Sequence, residues 1–430
     1  MNSSSSKGLF SWALFDWANS AYFVIIQTFI FSAYFAKAIA DEELTGTEQW
    51  GTTIGLAGLC IAVLAPFLGA IADHTGRRKP WIGFFSIMCI LACGALWFAK
   101  PDSSFLLFAL VAAFFATVGA EFAFIFYSAM LPDLVPPERI GRWSGWSWGL
   151  GYAGGLVCLL IALYGFVESD GAWLNLNTDE SEHVRATFVL TAVWYALFSL
   201  PMFFRTPDVK PTGVSIFQAS KMGLEQLITS IRHMRSYKNI AWFLLARMIY
   251  NDGLTLIFSF GGVYAAGTFD MDTAEIIAFG ILLNISSGVG AFAFSWFDDK
   301  AGSKATICWS LVGLIIPITA ILFAESKMWF QIWALIMGIF IGPVQAASRT
   351  LIGRMAPEEL RNQMFGLFAL SGKATAFIGP FLVGMVTVWL SSQRWGMSII
   401  LLLLVIGLVM MVMVKEPTNE LKPMEMDHDT

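Results

Sequence analysis

Apolar segments of membrane-spanning length recur along this chain, and no other feature constrains its fold so tightly. A helix crossing the hydrocarbon layer needs roughly 20 mostly apolar residues at about 1.5 Å each. Twelve segments reach that length: about 10–37, 51–72, 81–99, 105–130, 145–167, 185–205, 238–266, 274–296, 305–324, 328–348, 365–391 and 396–414. The expected fold class is therefore an all-α membrane protein with twelve transmembrane helices. Of 430 residues, 57% are hydrophobic and only 13% charged, whereas a soluble domain carries about 25% charged residues. No single aqueous core hides that much apolar surface, so lipid is the expected solvent. The leading serine tract has no cleavable signal pattern, and the first apolar segment is expected to stay as an anchor.

Lysine and arginine placement predicts orientation. With the N-terminus inside, cytoplasmic segments hold nineteen of them, among them Arg77, Arg78, Lys79, Arg139, Arg142, Arg354 and Arg361. The other side and its borders hold five: Lys37, Lys100, Arg185, Lys327 and Arg394. Both termini are thus expected in the cytoplasm. The longest internal loop, 206–237, would divide the chain into an N-terminal bundle (1–205) and a C-terminal bundle with a cytoplasmic tail (238–430), six helices each. Within that loop Phe217, Leu224, Leu227, Ile228, Ile231 and Met234 recur at helical spacing. This suits either a helix lying on the membrane surface or a linker that merely folds.

The two halves carry matching loops. Asp73-His74-Thr75-Gly76-Arg77-Arg78-Lys79 follows the second segment, and Asp298-Asp299-Lys300-Ala301-Gly302-Ser303-Lys304 follows the eighth. Pro137-Glu138 precedes the fifth and Pro357-Glu358 the eleventh, each followed by arginine and then by Gly145 or Gly366. Six-plus-six segments with matching loops indicate two parallel repeats around a central site.

The stretch from Gly69 through Asp73 and Gly76 to Lys79 resembles the signature loop of the major facilitator superfamily. That resemblance implies close helix approach at Gly69, a helix-capping carboxylate at Asp73, a turn at Gly76 and gate-bracing cations at Arg77 and Arg78. Asp298 and Gly302 would be its degenerate second copy. The alternative is an ordinary positive-inside loop. Five further stretches narrow the family: Trp12 to Tyr22, Gly145 to Tyr152, Arg247 to Gly253, Gln345 to Thr350 and Ala369 to Ala376. Together they resemble the vacuole effluxer branch, which includes the fungal autophagy-related amino-acid permease and bacterial relatives. The resemblance implies transport by two rocking bundles and an amino-acid cargo, with a bacterial inner membrane as the expected location.

Ionisable groups inside a membrane are costly and normally face a cavity or a partner. Asp16, Ser20 and Gln27 share one helical stripe with Asn19 beside it, and Arg247, Asn251 and Thr255 form another. Asp252, Glu121, Asn284, Gln345, Arg349 and Lys373 complete the substrate or coupling candidates. Asp16, Glu121 and Asp252 suit proton-titrating or amine-binding groups. They equally suit structural pairs with Arg247, Arg349 or Lys373.

Three functions fit. One is proton-coupled or facilitated movement of an amino acid or similar zwitterion, with Asp16 and Asp252 meeting the amine and Arg247 the carboxylate. A second is efflux of an amphipathic or drug-like compound, favoured by 38 phenylalanines. A third is a non-transporting receptor or assembly protein on the same fold. The scattered histidines and cysteines show no nucleophile or metal spacing, so neither an enzyme nor a metal site is expected. No phosphate-binding glycine loop or basic nucleic-acid patch occurs, and no cofactor is expected. The expected partners are a small-molecule substrate, the bilayer and protons, on a monomer.

Overall fold

Long apolar runs without water to satisfy the backbone must close their hydrogen bonds within the segment, and helices do so. In the computed structural model, which describes residues 6–169, 174–232, 237–271 and 273–415, every regular element is helical. The predicted tail beyond 415 and Met234 lie outside the described residues, as do the side chains of Leu227, Ile228 and Ile231. The first six helices are α1 (Ser6–Ile39), α2 (Glu43–Thr75), α3 (Lys79–Ala95), α4 (Leu106–Leu134), α5 (Ile140–Ala162) and α6 (Glu182–Arg205). Next comes α7 (Ile216–Arg232), in the predicted linker. There follow α8 (Lys238–Phe269), α9 (Thr273–Ala301), α10 (Ser303–Leu322), α11 (Lys327–Met355), α12 (Arg361–Ser371), α13 (Ile378–Trp389) and α14 (Gln393–Met413).

Among the described residues, eleven helices are long and apolar enough to cross a membrane. The difference from twelve lies in the predicted segment 365–391. It is split into α12 and α13 by a non-helical stretch over residues 372–377. Here the four-residue ladder gives way to tighter bonds, Gly372 N to Ala369 O and Lys373 N to Leu370 O. Irregular backbone at membrane depth persists only where protein groups or a cavity satisfy it. The Arg247 guanidinium donates to Phe368 O at 2.6 Å and to Ser371 Oγ at 2.8 Å, and Asn251 Nδ2 donates to Gly372 O at 3.1 Å. These two α8 side chains close the end of α12, where a cation also complements the helix dipole.

Packing follows the matched loops. Early in the chain, α1 lies against α5 and α6, and α3 against α4 and α6. Late in the chain, α8 lies against α14, α9 against α11, and α10 against α11 and α14. Two broad contacts join early to late helices: α2 with α12 and α5 with α9. Each is built on a glycine. A β-carbon at Gly366 would meet the Ala65 backbone, and one at Gly145 would meet the Ala291 carbonyl. Gly69 likewise lies against the backbone of Asn362 and Gln363. In lipid such close approach is a main source of helix association. The linker helix α7 packs on α2 with Gly223 against Ala70 and Ile71, while Phe217 is 86% exposed.

Candidate functional site: a central cavity closed at one end

A cavity of about 640 Å³ lies between the early and late helices. Asp16, Asn19, Gln27, Glu121, Asn284 and Gln345 all reach its wall. Wider turns of α1 over Tyr22–Phe29 bring Phe23, Gln27 and Thr28 to the lining. From its middle the cavity extends past Ile276, Leu322, Phe330 and Met397, toward the helix ends farthest from Asp73. The rest of the lining is largely aliphatic and aromatic, so the few polar groups set the chemistry.

The floor is built around Arg349, one turn below Gln345 on α11. Its guanidinium pairs with Asp16 Oδ2 at 3.3 Å, and the side chains are 1% and 6% exposed. It also donates to Ser144 Oγ at 3.1 Å, Ser144 O at 2.7 Å and Ser147 Oγ at 2.7 Å. The Trp148 ring lies 4.8 Å from it. Tyr127 donates to Asp16 at 3.1 Å, and Trp148 Nε1 and Tyr152 OH both donate to Gln345 Oε1, at 3.1 and 3.0 Å. Buried charge in a dry site is tolerated only when paired and fully hydrogen-bonded, and this set meets that condition for Arg349. Asn19 is buried with its Oδ1 unpartnered, and Gln27 Oε1 is unpartnered too. Both residues line the cavity, although protein covers these two oxygens.

Glu121 lines the cavity and accepts from Lys373 Nζ at 2.7 Å, the lysine lying in the break between α12 and α13. Glu121 is 16% and Lys373 26% exposed, so this pair is open to exchange in a way the Asp16–Arg349 pair is not. Arg247, Asn251 and Asp252 are not brought to the cavity. The first two hold the α12 end. Asp252 is 6% exposed with an unpartnered Oδ1 and sits outside the lining. They looked equivalent to Asp16 in sequence because helical spacing does not say which stripe faces inward. Tyr127, Ser144, Ser147 and Tyr152 were missed, since single hydroxyls in apolar segments carry no distinguishing pattern.

Beyond the floor, the end bearing the matched loops is closed. Asp73 Oδ1 accepts from Asn362 N at 2.9 Å and Nδ2 at 2.7 Å, and Oδ2 accepts from Gln363 N at 2.9 Å. It therefore caps α12, satisfying free N–H groups and the helix dipole together. Buried Arg78 donates to Asn362 Oδ1 at 2.8 Å and pairs with Asp133, which also pairs with Arg361. Arg77 is exposed. In the second copy Asp299 caps a neighbouring helix: its Oδ1 accepts from Arg142 N, near the start of α5, at 3.0 Å. Asp298 instead accepts from Ser303 Oγ at 2.8 Å and Arg354 at 3.0 Å. The spacing to the turn glycine distinguishes them. Asp73 and Asp299 each stand three residues before a left-handed glycine, Gly76 (φ 84°) and Gly302 (φ 92°).

A membrane-embedded helical fold with a cavity between its early and late helices is the architecture of major facilitator transporters. Solved structures agree. The proton:xylose symporter XylE aligns with a TM-score of 0.73 at 13% identity, covering 95% of this chain and 96% of its own. A bacterial homologue of the iron transporter ferroportin, in an outward-facing state, aligns with a TM-score of 0.69 at 15% identity, covering 95% and 98%. At these identities the likeness concerns the fold. The apolar spans, a matching family model and an MFS-type relative carry the rest: the chain is a multi-pass integral membrane protein and a transporter of the major facilitator superfamily.

More narrowly, it belongs to the vacuole effluxer Atg22-like family, whose model matches residues 51–420. It is similar to the MFS-type transporter YxiO of Bacillus subtilis (strain 168), 26% identical over 416 residues and covering 95% of each protein. Autophagy-related protein 22 of Saccharomyces cerevisiae (strain ATCC 204508 / S288c) is 23% identical over 299 residues, 62% of this chain. The chain spans 55% of that fungal relative's length.

Proposed function

We propose that the protein is a secondary active transporter working by alternating access, moving an amino acid or similar small polar solute. The observation that carries this reading is the central cavity, walled by both early and late helices and sealed at one end by side chains and helix caps. In this reading residues 1–205 and 238–430 are two six-helix halves, with α12 and α13 together making the last crossing needed for twelve. Both termini lie in the cytoplasm, in a bacterial inner membrane, so the closed end is cytoplasmic and the cavity faces outward.

Glu121 takes the amine and Lys373 the carboxylate of a zwitterion, exchanging their mutual bond for the solute. Asn19, Gln27 and Asn284 supply further polar contacts. Asp16 and Arg349 hold the floor. A proton on Glu121 would release Lys373 in the same way, which couples movement to a pH gradient. The apolar remainder of the wall, with Phe23, Phe279 and Phe330, favours amphipathic cargo as the second reading.

The test is uptake into proteoliposomes with an imposed pH gradient and a panel of labelled amino acids. Gradient-driven uptake of at least one, lost in Glu121→Gln, is the expected result. Uptake of none, with or without the gradient, overturns the amino-acid reading.

A further inference from the structure

A second cavity, about 590 Å³, lies between α1, α5 and α9 toward the closed end. Phe10 of α1, Trp143 and Trp146 of α5, and Val289 and Phe292 of α9 form its sides. Tyr152 and Asn284, its polar residues, also line the central cavity, so the two spaces share a wall. Phe10, Val289 and Phe292 are 55%, 60% and 49% exposed on spanning helices, so the crevice faces hydrocarbon rather than water. Its depth comes from small residues where α5 and α9 cross. A β-carbon on Gly149 would stand 3.3 Å from Gly288 O, and one on Gly288 3.2 Å from Tyr152 Cβ.

Charge specifies more than a generic apolar groove. Each wall helix carries an exposed cation at its closed end: Lys7 one turn before Phe10, Arg139 one turn before Trp143, and Lys300 two turns beyond Phe292. Glu138 is the exposed carboxylate beside Arg139, which leaves the rim net basic. The Trp146 ring, packed between Phe292 and Trp296, adds a broad aromatic surface to the crevice wall.

We infer that the crevice binds one anionic phospholipid from the leaflet at the closed end. One acyl chain fills the space between α5 and α9, and the phosphate lies among Lys7, Arg139 and Lys300. Because the seat spans α5 and α9, the lipid would also hold this end shut; that consequence rests on the alternating-access reading, while the binding itself does not.

The test measures lipid binding directly on the detergent-purified full chain, by native mass spectrometry with phosphatidylglycerol and phosphatidylcholine of identical chains. One phosphatidylglycerol per chain is expected to be retained at least about tenfold better than phosphatidylcholine, since each basic residue near an anionic headgroup adds to attraction. The triple variant Lys7→Gln, Arg139→Gln, Lys300→Gln should bring the two lipids level. Ala153→Phe, which fills the crevice, should remove both. Trp146→Phe should lose the part of the tryptophan fluorescence quenched by brominated acyl chains. Equal retention of the two lipids by the unmodified chain overturns the proposal, as does binding unchanged by Ala153→Phe. So does a two-chain particle that Ala153→Phe dissociates, because the occupant would then be a second copy. Lipid binding intact without transport would instead count against the function proposed above and leave this site standing.

Discussion

Two ion pairs flank the cavity, and their surroundings give them different work. Asp16 and Arg349 are buried, hydrogen-bonded and set among aromatic rings, so removing one partner strands a buried charge in the floor. Asp16→Asn is expected to destabilise the protein by about 3–5 kcal/mol, the range for a broken buried pair. Adding Arg349→Met should recover most of that loss, as read by unfolding in detergent. Glu121 and Lys373 are less buried, at 16% and 26% exposed, so breaking their pair strands less charge than breaking the floor pair does. Glu121→Gln should therefore cost less stability while abolishing gradient-driven uptake. If both substitutions cost stability alike, the division into a structural and an exchanging pair fails.

At the scale of elements, the closed end depends on helix starts held by aspartates from a neighbouring helix. Loss of an N-cap costs about 0.5–2 kcal/mol, enough to shift the balance that the proposed alternating access requires. A single cysteine placed at buried Thr350, in a chain cleared of its native cysteines, reports that balance. Asp73→Ala and Asp299→Ala are expected to speed its modification by a thiol reagent several-fold, and Asp298→Ala less so, since Asp298 pairs with Ser303 and Arg354 on the late helices. Gly145→Val and Gly366→Val should act in the same direction, because the added carbons meet the backbone of the opposing helix. Equal effects at Asp298 and Asp299 would remove the distinction drawn from their partners.

Across the whole molecule, the cavity extends away from the matched loops. A cysteine at exposed Thr28 should react with an impermeant maleimide added on the side opposite those loops and be protected from reagent on the loop side. Reaction from the loop side alone would reverse the proposed orientation. The overall plan was legible beforehand for a plain reason: apolar length, basic loops and turn glycines act within a few residues, and lipid imposes helices on any chain that carries them. Even the interruption at Gly372 left no mark in hydropathy, because Gly372 to Phe377 is as short as a helical turn or two.

The site was legible only as a set of costly residues, not as an arrangement. Asp16, Gln27, Glu121, Asn284 and Gln345 were marked by being polar where lipid penalises polarity, and they do meet at one cavity. Arg247, Asn251 and Asp252 carried the same mark and went elsewhere. Sequence alone determined that this chain crosses a membrane many times, with related loops in its two parts. Tertiary structure decided which charges meet, since Asp16 and Arg349 stand 333 positions apart and Glu121 and Lys373 252 apart. A desolvated charge must find its counterpart wherever folding puts it, and that partner is chosen by helix rotation and packing rather than by spacing along the chain.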